Sequence, residues 1–175
     1  MGRTEPKQEL NSKTKTEEGY SNILNFQNMN FLEYNILCFP DFLKSWNKIH
    51  KTHYESITEL ANDTNFKNLL ETLLELLIKH KRAHQPIKFK TPTKILDRDV
   101  DPRAKEIDFY KWDITGVAKR CIYTILGEEQ LIVFIYFYKK ADKDDITNDE
   151  EQYALRQIIK IIDECHRQRN EENEQ

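Results

Sequence analysis

Residues 119–140 read KRCIYTILGEEQLIVFIYFYKK, and they decide the fold class of this chain. Two β-branched and aromatic runs, 119–126 and 131–140, flank a short turn at Gly127-Glu128-Glu129. Runs of this composition joined by a short glycine-containing turn signal an antiparallel hairpin. The second run lacks polar alternation, which predicts a strand that is central or covered on both faces. Upstream, FYKWDIT (109–115) is followed by Gly116, so a third strand joins through a second tight turn. The expectation is a three-stranded antiparallel β-meander.

Working outward, the other segments read as helices. Thr147-Asn148-Asp149-Glu150 matches a capping box. Ala154, Ile158, Ile161, Ile162 and Cys165 then share one face of a C-terminal helix. On the N-terminal side, Phe66, Leu69, Leu70, Leu73, Leu74 and Leu77 define a helix over 65–82, with Asp63 or Thr64 as its cap. Phe42, Leu43, Trp46 and Ile49 recur at helical spacing after Pro40, with Asp41 as N-cap, and a short helical stretch covers 54–60. EYNILCF (33–39) reads as a strand closed by Pro40-Asp41. Three of the five prolines fall in 85–105, which reads as a long, partly extended connection. The expected fold class is therefore α+β: an N-terminal strand and helices, a three-stranded antiparallel meander, and a C-terminal helix.

At 175 residues the chain fits one domain with a real core. Residues 1–30 are polar and predict a largely disordered extension, with Tyr20, Ile23, Leu24 and Phe26 available for a short docking turn. The folded domain is expected over 31–169, with a charged tail over 170–175. The net charge of −3 is unevenly spread. Residues 31–140 carry 18 Lys+Arg against 15 Asp+Glu, whereas 141–175 carry 5 against 11. The middle is mildly basic, so a local anion-binding face is compatible with an acidic total.

No apolar run reaches the 18 or so residues of a bilayer span, and the N-terminus has no apolar signal region. The expectation is a cytoplasmic protein with no membrane partner. Cys38, Cys121 and Cys165 form no CxxC pair and read as reduced thiols. No GxGxxG, Walker A or Gly-x-Ser-x-Gly motif is present. His80 and His84 have helical metal-ligand spacing, but the glutamate of HExxH is missing and Lys79, Lys81 and Arg82 repel a cation. No metal and no cofactor are expected. Trp46 and Trp112 read as core residues, and His50 and His53 as decoration of a helix surface.

The candidate site is a basic and aromatic cluster on the meander. A tight turn sets the start of one strand beside the end of the next, so Lys119 and Arg120 lie near Lys139 and Lys140. Cations so placed are either a solvated sheet rim with its edge protected by lysines or an anion site. Arg120-Cys-Ile-Tyr123-Thr-Ile125, then Phe137-Tyr-Lys139-Lys140 with Lys143 beyond, resembles the motifs of RelE/HigB-type toxins, particularly the phage-derived HigB-like branch. The resemblance runs over about 107–162, and the upstream order of a strand and two helices is also similar.

The resemblance implies a toxin of a type II toxin-antitoxin system that cleaves mRNA, often on the ribosome, and is neutralised by an antitoxin protein. Cleavage would proceed by attack of a ribose 2′-hydroxyl on the adjacent phosphate without metal. That chemistry needs a base, cations on the developing charge and an acid for the leaving oxygen. Arg120 would hold the phosphate bidentately. Lys139 and Lys140 would share that role, or one would act as base. Tyr138 or Tyr123 would donate a proton or stack a base. Lys111, Lys119, His84 and Lys143 would contact RNA, with His84 also a candidate acid–base group. Two alternatives stand beside this reading: a non-catalytic protein- or RNA-binding module on the same fold, and a ParE-like toxin acting on gyrase.

Overall fold

The computed structural model describes residues 24–25, 34–87, 102–114, 116 and 118–175. The expected docking residues Tyr20, Ile23 and Phe26, nearly all of the N-terminal extension, and the middle of the 85–105 connection with Pro92 lie outside the described residues. In chain order the elements are β1 (Leu24–Asn25), β2 (Asn35–Cys38), α1 (Pro40–His50), α2 (Ile57–Leu60), α3 (Thr64–Lys79), β3 (Gln85–Pro86), a 3₁₀ turn (Pro102–Glu106), β4 (Tyr110–Ile114), β5 (Lys119–Leu126), β6 (Leu131–Lys139) and α4 (Asn148–Asn173).

This is a mixed α+β fold built on one sheet of order β1-β2-β6-β5-β4-β3. β4, β5 and β6 pair antiparallel through the two expected turns. They are the middle of a wider sheet, because β2 adds to β6 in parallel and β3 adds to β4 antiparallel. The start of the 85–105 connection is thus a strand, and its end is the 3₁₀ turn. At the first turn Gly116 takes φ 81, a backbone region that favours glycine.

β6 is central, and its first eight residues are buried. A bulge adds to its lack of alternation. Tyr123 faces Phe134 and Ile122 faces Tyr136, which leaves Ile135 as the extra residue. The pleat therefore resets: Phe134 and Phe137 point to one face, Tyr136 and Tyr138 to the other.

The first face packs against α1 and α3. Phe42 lies 5.4 Å from Phe134 and 5.6 Å from Phe137, ring centre to ring centre, and Phe66 of α3 closes the cluster 5.6 Å from Phe134. The second face packs under α4, whose Ala154, Leu155, Ile158, Ile161 and Ile162 are buried. Tyr136 donates to the Glu150 carbonyl at 2.9 Å and ties that helix down. Burial of about 25 cal/mol per Å² of apolar surface on both faces holds the three layers together.

Helix starts follow local chemistry. Thr147 and Glu150 form the expected capping box. Asp63 caps α3 by accepting the Phe66 N–H at 3.0 Å. For α1 the expected Asp41 cap gives way to Phe39, because Pro40 is preorganised for the first helical position and moves the start upstream. Trp46 and Trp112 are core residues, and Cys38 and Cys121 are buried free thiols. Among the described residues, no helix is long and apolar enough to cross a membrane.

Candidate functional site

Lys119 opens β5 directly opposite Lys139 at the end of β6, and Arg120 stands opposite Tyr138. Neighbouring residues on a strand point to opposite faces. The expected cluster therefore shares one end of the sheet but divides between its two faces.

On the α4 face, Arg120 stands opposite Asp113 of β4 and grips both of its carboxylate oxygens. Lys140 reaches the same carboxylate at 3.4 Å. Hydrogen bonding and charge from Arg120 hold the Asp113 carboxyl below its ordinary range. Lys111 pairs with Asp145 at 3.3 Å, and Lys143 with Glu150 at 2.6 Å. The Lys143 ammonium also lies 4.9 Å from the centre of the Tyr138 ring. Four cations are thus matched by three carboxylates, and little field remains for a ligand. Tyr138 is 7% exposed, and its hydroxyl has no hydrogen-bond partner among the described residues. Burial raises its pKa, so the hydroxyl keeps its proton.

On the α1 face the balance differs. Lys119 and Lys139 face each other, and neither has a carboxylate partner among the described residues. Lys139 is exposed and Lys119 half-buried. The Lys119 ammonium donates to His50 Nε2 at 3.3 Å. His50 is no surface ornament: its ring stacks on Trp46 at 4.1 Å and on Phe137 at 5.7 Å. Burial first, and Lys119 second, lower its pKa, so the imidazole is neutral near pH 7. Lys48 and His50 also occupy the last turn of α1, where the helix dipole favours positive charge. The signal for His50 is its spacing of four from Trp46, which continues the buried stripe of Phe42 and Trp46.

Tyr123 and His84, distant in sequence, meet inside the fold. Tyr123 is 0% exposed. Its oxygen accepts the His84 backbone N–H at 3.1 Å and lies 2.8 Å from His84 Nδ1. Burial, then the charge of Arg82, push the His84 pKa down to about 4. The ring is neutral, so the phenol donates to Nδ1 and the imidazole proton sits on Nε2. The ring stacks on Trp112 at 4.7 Å, and Tyr110 stacks on Tyr123 at 5.3 Å. This unit stands four residues along β5 from Lys119, about 13 Å at strand rise. It braces β3 against the sheet and does not join the cations.

The sheet end therefore offers two chemistries. The α4 face is a neutralised ion-pair network, and the α1 face holds two unopposed ammonium groups beside a neutral imidazole. A phosphate fits the second arrangement, with the two lysines on its oxygens. Comparison of the chain with known protein families, curated proteins and solved structures finds no match.

Proposed function

We propose that the chain is a RelE/HigB-like toxin of a type II toxin-antitoxin system, a cytoplasmic endoribonuclease that cleaves mRNA without metal. The observation that carries this reading is the Lys119–Lys139 pair, set opposite each other with no carboxylate partner and with His50 at 3.3 Å from Lys119. Two ammonium groups on directly opposed strand positions repel each other. A phosphodiester bound between them relieves that repulsion and receives two donors on its oxygens. When Lys119 turns from His50 Nε2 onto the phosphate, that nitrogen is freed to take the 2′-hydroxyl proton as the hydroxyl attacks. Lys119 and Lys139 hold the charge of the pentavalent state, and the proton returns to the leaving 5′-oxygen. Arg120 and Lys140, on the opposite face of the same sheet end, join as a second clamp only by exchanging the Asp113 carboxylate for a neighbouring phosphate. The order of strand, helices, three antiparallel strands and helix also supports the family reading. The antitoxin in this reading covers the basic end of the sheet.

The matched charges on the α4 face favour a second reading, a non-catalytic RNA- or protein-binding module. Tight induction in a bacterial host separates the two. The parent should arrest growth and leave cut mRNA. Lys119→Ala with Lys139→Ala should abolish cleavage, and Arg120→Ala with Lys140→Ala should weaken it. Growth without arrest by well-expressed, folded protein would select the binding module. Arrest with intact mRNA would point to gyrase or another target.

A further inference from the structure

At the other end of the β5–β6 hairpin, roughly 25 Å from Lys119 at strand rise, the turn and α4 bring Glu128, Glu129 and His166 together. One donor atom from each lies within 4.8 Å of the others. Glu129 Oε1 is 3.2 Å from His166 Nε2. A tetrahedral zinc with bonds of about 2.0–2.2 Å separates neighbouring donors by roughly 3.4 Å. The Glu129–His166 spacing already suits that geometry. Glu128 is exposed, so a rotamer change brings its carboxylate in.

One feature beyond the spacing points to a cation here. The Glu129 side chain is 7% exposed, yet among the described residues its one ionic partner is His166. A carboxylate withdrawn from water without a fixed positive charge is costly. Arg169, whose guanidinium donates to the Glu128 carbonyl at 2.6 Å, makes no ion pair with the Glu129 carboxylate among the described residues. The turn is also held in place. The Gln130 N–H returns to the Gly127 carbonyl at 3.3 Å, and Gln130 sits at φ 54. Both carboxylates are therefore presented from a closed turn and not from a loose loop.

We propose that Glu128, Glu129 and His166 bind a first-row divalent cation, zinc foremost, which pins α4 to the β5–β6 turn. One imidazole and two carboxylates suit zinc, manganese or iron, whereas magnesium and calcium prefer an all-oxygen set. The site is separate from the sheet end, and the cation plays no part in RNA cleavage.

The test uses the untagged full chain, dialysed against chelator and titrated calorimetrically with zinc chloride, with magnesium chloride as control. The parent should bind one zinc per chain. Its melting midpoint should rise by roughly 5–10 °C at zinc a hundredfold above the dissociation constant. Magnesium should do neither. His166→Ala and Glu128→Gln should each weaken zinc binding about tenfold or more. Glu128 is exposed, so that variant keeps the fold and decides the matter if His166→Ala does not. Absence of saturable zinc binding by the parent would overturn the proposal. So would binding unchanged in Glu128→Gln, which would place the metal elsewhere.

Discussion

Replacing Tyr123 with Phe removes one oxygen from a side chain with no solvent exposure. Two groups of His84 lose their partner, the backbone N–H at 3.1 Å and Nδ1 at 2.8 Å. A hydrogen bond is worth about 1 kcal/mol net, and a buried group left unpaired costs about 1–3 kcal/mol. His84 is half-buried, so water reaches part of the imidazole, and the loss falls at roughly 2 kcal/mol in all. In a domain of this size each kcal/mol moves the melting midpoint by about 2–4 °C, so the variant should melt about 4–8 °C lower. Calorimetry at pH 7 measures this directly. Cleavage of mRNA by the folded variant should match the parent, because the hydroxyl is sealed from solvent and distant from Lys119. A fall of less than about 1 °C would refute the bracing role assigned to the hydroxyl. Unchanged melting with lost cleavage would move Tyr123 into the chemistry.

Burial raises the Glu151 carboxyl from 4.5 to about 7. The unfolded chain ionises it first, so stability falls as pH rises from 4.5 to about 7 and stays reduced above. The penalty at pH 8 is on the order of 2–3 kcal/mol. Glu151→Gln should therefore raise the melting midpoint at pH 8, with most of the gain gone at pH 5; an equal gain at both would remove ionisation as its cause. Thr147→Ala removes the hydroxyl that accepts the Glu150 N–H at 3.2 Å and should destabilise by about 1 kcal/mol, read from urea unfolding. Filter binding of a short single-stranded RNA across a salt series should give a slope shallower by about 0.7 in the Lys119→Ala, Lys139→Ala variant, because the two lysines share one phosphate. A parallel pair of lines would show that those lysines touch no phosphate.

The meander was legible because its signals are local. Gly116 and the Gly127 turn mark the hairpins, and the register that opposes Lys119 to Lys139 follows from the turn. Asp113 as the partner of Arg120 follows from the same logic applied to the first hairpin. The parallel pairing of β2 with β6 carries no such mark, since no turn joins the two strands and the composition of NILC suits any buried strand. The bulge at Ile135 hides inside an apolar run where every residue is a good strand former. The division of the cations between faces is written in the alternation of Lys119 and Arg120, but the carboxylates that neutralise one face come from elsewhere: Asp145 and Glu150 arrive from the α4 entry. His84 with Tyr123, and His166 with Glu129, are meetings of residues tens of positions apart, and only the packed fold brings them together.

The pairing of β2 with β6 also dictates an order of events during synthesis. The strand that opens the described core hydrogen-bonds to the strand that comes last in the sheet. The apolar faces of α1 and α3 wait for the same strand, through Phe134 and Phe137. At synthesis rates of about 5–20 residues per second, the first helices therefore stand exposed for several seconds before β6 exists to receive them. The described core cannot be completed until β6 has been made. A partner able to sheathe those helices would do its work on the nascent chain, before any basic sheet end has formed.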